Sequence, residues 1–238
     1  GWTVAIDEAA TAKLERSAAE LRTFFGSYRT VDELYADLEA WVAASPTLAE
    51  IVDYGQSYCP GEGGCTTPDG DTWPGFPLRA IRLTNEDVPG SSTISGTTVS
   101  RGAKPVFFLM AGIHSREITT PEIAMRFARE LLDGYGTDAD TTWLLDYHEV
   151  WIVPTANPDG HWLVELGATD AYGGWPFFQR KNSNNAEDNY GAADCPLWPP
   201  RNFAPFCINL NRNHRLRSVR PGAGGHPVGI TYTGACRA

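Results

Sequence analysis

An α/β fold is what the order of periodicities along this chain predicts. Three observations carry the prediction: a capped amphipathic helix near the start, two strand patterns flanking a Gly-rich loop, and an apolar run that leads into a second helix. Residues around Asp7 to Phe25 carry a helical pattern. A better-marked helix follows. Thr30 and Glu33 have capping-box spacing, Val31, Leu34, Tyr35, Leu38, Trp41 and Val42 make one apolar face, and Pro46 stops it. Ile51 to Tyr54 and Leu78 to Leu83 read as strands, the second alternating apolar and polar. Asn85 to Lys104 reads as a polar surface loop. The run Val106 to Ala111 reads as a buried strand, followed by a helix that Thr120 caps and Pro121 begins, running to about Leu132. Val150 to Val153 is a further strand that enters Asn157-Pro158-Asp159-Gly160, a segment of turn residues. No internal repeat is visible.

Composition narrows the class. With 238 residues, 42% of them hydrophobic, the chain can bury a sizeable core as one large domain or most of one. A net charge of -10 argues against nucleic acid or an anionic membrane as partner, because both attract clustered Lys and Arg. No apolar stretch is long enough to span a bilayer. The chain opens at Gly1 without a basic and apolar leader, so a targeting segment is expected to have been removed or never present. Five cysteines, eight tryptophans and Gly/Pro-rich stretches suit a secreted protein. Cys59 and Cys65 bracket one short Gly-rich loop and Cys195 and Cys207 a proline-rich one, and each spacing can close a disulfide. Cys236 is left over, its partner expected beyond Ala238.

The chemistry concentrates at His114-Ser115-Arg116-Glu117, directly behind the apolar run. An imidazole and a carboxylate three residues apart can turn onto one divalent metal ion, and a strand-to-helix connection is where open α/β sheets place ligands. Catalytic zinc takes three protein ligands and keeps a fourth position for water, and the chain offers no convincing third. His148 reads as solvent-facing and His161 as a capping or surface residue. His214 and His226 fall near the site, and His226 is the next candidate for a third ligand. Asp69-Gly70-Asp71 lacks the further spaced oxygens of a calcium loop and reads as turn chemistry.

Four motifs in order now carry a resemblance: His114 to Glu117, Asn157 to Gly160, Arg180-Lys181-Asn182 and Asn211-Arg212-Asn213. From about Thr30 to Gly234 the chain resembles the zinc metallocarboxypeptidases of the carboxypeptidase A and B type. The resemblance implies a mixed, mostly parallel twisted sheet with helices on both faces. It implies zinc as cofactor, His114 and Glu117 as its ligands, and Arg180 as the electrophile that polarises the scissile carbonyl. Asn211 and Arg212 would hold the substrate's C-terminal carboxylate, Arg116 would bind substrate as well, and the Asn157 to Gly160 segment would be a structural turn. The chemistry of these side chains agrees: a guanidinium fork gives a carboxylate two parallel charge-assisted bonds, and a neighbouring amide adds a neutral donor. Arg201, Arg215 and Arg217 compete for the Arg180 role when the residues are read unaided. The expected partners are peptide or protein C-termini, with neither nucleic acid nor membrane.

Two departures from the family pattern stand out. The family usually has an Asp two residues before the substrate-binding Asn, where it accepts the proton of the first zinc-binding imidazole; here Asn209 stands there. An amide oxygen can fix the ring but lacks the charge that raises ligand basicity. The family's second zinc-binding histidine, a tyrosine that closes over substrate and the glutamate general base come after the segment resembling Thr231 to Gly234, and none is found here. The chain is therefore expected to be the N-terminal two thirds of a catalytic domain. Residues 1–29 would be a helical segment or pro-segment remnant, residues 30–238 the partial domain, and a C-terminal continuation or second chain would complete the site. Such a fragment alone is expected to be inactive. Two other readings remain beside a secreted metallocarboxypeptidase: a catalytically silent binder of C-terminal carboxylates, and a related zinc amidohydrolase.

Overall fold

The capping box predicted at Thr30 opens the first helix, α1 (Val31–Ala44). The Thr30 hydroxyl accepts from the Glu33 amide at 3.2 Å while the Glu33 carboxylate accepts from the Thr30 amide at 2.8 Å. Val31, Leu34, Tyr35, Leu38 and Trp41 are buried, Val42 packs partly against the core, and Ser45 caps the helix before Pro46. The structure is a computed structural model that describes residues 28–61, 63–88 and 104–183, with the backbone of a short hairpin at 93–94 and 97–98. The helix expected around 7–25, Cys195, Cys207, Cys236, Arg201, Asn209, Asn211, Arg212, His214, Arg215, Arg217 and His226 lie outside the described residues.

After α1 come β1 (Ala49–Gln56), a single turn α2 (Tyr58–Gly61), the two-residue strands β2 (Cys65–Thr66) and β3 (Thr72–Trp73), and β4 (Pro77–Leu83). Cys59 and Cys65 form the disulfide expected of them. The hairpin strands β5 (Thr93–Ile94) and β6 (Thr97–Thr98) precede β7 (Val106–Met110). Then follow α3 (Thr119–Gly134), α4 (Ala139–Tyr147), β8 (Glu149–Val153), α5 (Pro158–Gly167) and a 3-10 turn at Asp170–Tyr172. The main sheet has the order β1-β4-β8-β7. It is mixed, as expected of an α/β fold, but among the described strands only β7 and β8 run parallel; β1 with β4 and β4 with β8 are antiparallel. The core gathers between this sheet and its helices, with Leu34, Leu38, Ile81, Leu83, Met125, Leu145, Val150 and Ile152 fully enclosed.

Several local expectations are corrected by packing. β4 does not alternate: Ala80 and Ile81 point to opposite faces and are both buried, so both faces of the strand are covered there. Its arginines keep their heads among carboxylates, Arg79 on Glu39 at 2.6 Å and Asp53 at 3.1 Å, Arg82 on Glu149 at 2.9 Å and Glu50 at 3.1 Å. β7 is not buried. Val106, Phe107, Phe108 and Met110 are exposed, and β8 is the strand's one partner among the described residues. The ends of the loop from Asn85 to Lys104 are buried rather than solvated: the Lys104 ammonium donates to Thr84 Oγ1 at 2.9 Å and to the Asn85 carbonyl at 2.7 Å, and burial lowers its pKa. α3 begins at Thr119, without a side-chain cap. Thr120 instead donates to the Glu117 carbonyl at 2.9 Å and accepts from the Gly112 amide at 3.1 Å, tying the helix start to the loop behind β7.

The Asn157 to Gly160 segment is a helix start rather than a free-standing turn. Asn157 is the N-cap of α5, its side chain accepting from the Gly160 amide at 3.1 Å, with Pro158 in the first turn. His161 lies inside that helix, fully buried and 3.1 Å from the Arg29 carbonyl, so it is neither cap nor surface residue; burial pushes its pKa down to about 4. Asp159 is buried too, accepting from the Ser57 hydroxyl at 2.8 Å and the Cys59 amide at 3.0 Å, and so clamps the disulfide loop to α5. His148 is half-buried and caps α4, its ring 4.9 Å from that of Trp143.

Candidate active site

Gly112 ends the apolar run with φ +63, and a Cβ there would come within 2.8 Å of Thr155 Oγ1. Only glycine combines that left-handed turn with that approach, and the turn swings the next residues off the sheet edge. His114, Ser115 and Arg116 follow. The Glu117 amide donates to the His114 carbonyl at 3.0 Å, a tight turn that folds the fourth residue back on the first. Its result is the pairing anticipated from the spacing: His114 Nδ1 lies 2.9 Å from Glu117 Oε1. The imidazole is buried, whereas the Glu117 side chain is half-exposed.

Ser115 is buried and points the other way, into a strap formed by residues 177–183. Its hydroxyl donates to the Gln179 carbonyl at 2.7 Å and its amide to the Arg180 carbonyl at 3.3 Å. The strap is fixed from beneath by Asn157, whose amide donates to the Lys181 carbonyl at 3.0 Å. A Cβ on Gly160 would sit 2.6 Å from that same Lys181 carbonyl, so the glycine is needed for the strap to lie against α5. Along it, Phe177, Gln179, Lys181 and Ser183 are buried, while Phe178, Arg180 and Asn182 face outward. That alternation delivers Arg180 to the His-Glu turn. Arg180 Nη2 is 3.2 Å from His114 Nδ1.

Burial, reinforced by the positive charge of Arg180, lowers the His114 pKa, against the opposing pull of Glu117. The imidazole is therefore neutral at physiological pH and keeps a lone pair for a metal. Nitrogen and carboxylate oxygen in contact are a donor set suited to zinc. The other ring nitrogen, Nε2, is buried with no hydrogen-bond partner among the described residues, and a ring that ligates through Nδ1 needs an acceptor at that atom. Among the described residues no group of three His, Cys, Asp or Glu side chains gathers to hold a metal. Arg116 is half-buried, its guanidinium 5.9 Å from the centroid of the Phe178 ring.

The zinc carboxypeptidase family profile matches residues 66–237. This chain belongs to the zinc carboxypeptidase family. Carboxypeptidase A2 of Mus musculus is 26% identical over 212 residues, 88% of this chain and 38% of its own length. Metallocarboxypeptidase A of Trichophyton tonsurans is 27% identical over 164 residues, 65% of this chain and 34% of its own. The crystal structure of carboxypeptidase A from Helicoverpa armigera aligns with a TM-score of 0.51 at 19% identity, over 91% of this chain and 43% of that one, a likeness of fold. The chain thus spans less than half the length of these zinc carboxypeptidase relatives.

Ser115, Asn157 and Gln179 hold the site together and were not singled out from the sequence for that work. Asn157 had a signal, since a capping side chain has an amide to spare. Gln179 had none: a polar residue at zero exposure in an irregular strap follows no hydropathy period.

Proposed function

We propose that this chain contributes the N-terminal part of a secreted, zinc-dependent metallocarboxypeptidase that hydrolyses the C-terminal peptide bond of peptides and proteins. The observation that carries this reading is the convergence of Glu117 Oε1 and Arg180 Nη2 on His114 Nδ1, at 2.9 Å and 3.2 Å. His114 and Glu117 would hold zinc, with a third ligand and a general base supplied by a C-terminal continuation or a second chain. Zinc there would supply an acidified water and Lewis acidity toward the carbonyl. Arg180, held by the strap rather than by a mobile loop, donates to the carbonyl oxygen as charge develops on it, a service worth most when the donor is in place beforehand. Asn211 and Arg212 bind the terminal carboxylate, and Arg116 holds the peptide upstream. The Cys59–Cys65 disulfide supports an oxidising, extracellular location. No described helix is long and apolar enough to cross a membrane.

The test is release of single C-terminal residues by the zinc-loaded natural protein that carries this sequence, with the same peptides amidated at the C-terminus as controls. Cleavage abolished by amidation is expected. Equal cleavage of amidated peptides would instead indicate an amidohydrolase, and zinc binding without cleavage a silent relative.

A further inference from the structure

Asn157 stands where three segments of the site meet, and each polar atom of its buried side chain has work to do. Its Oδ1 accepts from the Gly160 amide as the cap of α5, which leaves the two N–H donors of Nδ2 to point outside the helix. Nδ2 lies 3.0 Å from the Lys181 carbonyl and 3.4 Å from the Ile113 carbonyl. Lys181 is the residue after Arg180, and Ile113 is the residue before His114. One planar amide therefore ties the backbone beside the arginine to the backbone beside the imidazole.

Ser115 supplies a direct tie between turn and strap, through its hydroxyl to the Gln179 carbonyl at 2.7 Å and its amide to the Arg180 carbonyl at 3.3 Å. Two segments joined along one line can still hinge about it. Links from both to a third, fixed element remove that freedom. α5 is such an element, because Asp159, two residues beyond Asn157, is buried and holds the Ser57 hydroxyl and the Cys59 amide. The guanidinium of Arg180 ends a long side chain, so a small rotation of the strap at Lys181 is magnified at Nη2, and a misplacement of about 1 Å at a reacting centre can cost about 100-fold in rate. We propose that Asn157 is a positioning residue for the reaction assigned above: without touching substrate, it fixes the angle between the strap and the His-Glu turn, and so keeps Arg180 Nη2 in its place 3.2 Å from His114 Nδ1. This rests on the carboxypeptidase reading and deepens it, since the Asn157 to Gly160 segment then governs catalysis as well as starting a helix.

The experiment is a double-mutant cycle in the zinc-loaded natural protein carrying this sequence, read as kcat and KM for release of a C-terminal residue. Asn157→Ser keeps a capping oxygen for α5, but its hydroxyl stops one bond short of Nδ2 and cannot span both carbonyls. Its kcat should fall about 10- to 100-fold, with KM changed by less than about threefold. In the Arg180→Ala background the same substitution should lower kcat by less than about twofold further, because its effect passes through Arg180. A merely structural residue would lower kcat by the same factor in both backgrounds; that result, or an unchanged kcat in Asn157→Ser alone, overturns the proposal. If Asn157→Ser does not fold, Asn157→Asp runs the same cycle, since it keeps the cap and the reach but turns an acceptor toward the two carbonyls. A wild-type protein that releases no residue contradicts the parent reading instead. Crystal structures of the wild type and the variant then decide the positioning role: an Arg180 guanidinium displaced from His114 by about 1 Å or more supports it, and an unmoved guanidinium overturns it.

Discussion

Arg180 reaches His114 by a route that local sequence does not announce: its guanidinium arrives on the outward side of a strap whose inward side carries a glutamine and a lysine. The role proposed for it makes a definite demand. Arg180→Ala should lower kcat by about 100- to 1000-fold, the effect of deleting one preorganised donor to a developing oxyanion, with a much smaller change in KM. A proportionate rise in KM at constant kcat would mean that Arg180 merely binds substrate. The buried Nε2 of His114 makes a second demand, since its acceptor sets how basic the ligating nitrogen is. With Asn209 in the place where the family usually has Asp, Asn209→Asp is expected to tighten zinc binding, by at most about ten- to a hundredfold. Zinc titration against a competing chelator reads this directly, and an unchanged affinity removes Asn209 from the account.

At the level of elements, α1 was fully legible and the strap was not. α1 has a reciprocal cap and an apolar face at helical spacing, both of which act within a few residues of themselves. β7 shows the opposite: Val106 to Met110 is apolar on both faces, and that pattern reads the same whether a strand is flanked on both sides or on one. The site's two anchor motifs were legible as residues, but their cooperation was not, because Asn157 and Lys181 meet across 24 positions. Gly160 tests that meeting. Gly160→Ala forces a Cβ to 2.6 Å from the Lys181 carbonyl, so it should destabilise the fold by about 1–3 kcal/mol, the range for overpacking. It should also lower activity more than an equally destabilising change in α1, such as Leu38→Ala, and equal activity losses at matched stability would show that the strap tolerates displacement.

Glu149 ties the stability of the sheet to pH. Its hydrogen bond from Arg82 is the main cause that lowers its pKa, working against burial. A carboxyl held below its unfolded value stabilises the folded state above the ordinary carboxylate range, and that contribution is lost as pH falls through the folded value. Glu149→Gln should therefore be less stable than the wild type at neutral pH, by about 1–2 kcal/mol for a part-buried charge-assisted bond. The gap should close as the carboxylates protonate. Urea unfolding of both proteins between pH 7 and pH 3 measures it, and a gap constant with pH would show that charge plays no part.

For the molecule as a whole, the α/β class was readable because strands and helices alternate, and the His114–Glu117 pairing because both residues sit where a strand gives way to a helix. The strand directions were not readable, because pairing sense depends on which distant segments meet and leaves no mark on local hydropathy. The disulfide loop, held to α5 by Asp159, joins the N-terminal half of the fold to the underside of the site. In the chain-entropy view a loop this short is worth about 2 kcal/mol, so Cys59→Ser with Cys65→Ser should lower stability by that amount. The most direct measurement is zinc stoichiometry in the natural protein carrying this sequence, compared with His114→Ala and Glu117→Ala at matched folding. One zinc per chain in the wild type, lost from both variants after dialysis against a weak chelator, is the predicted result. Zinc retained in full by either variant would contradict it.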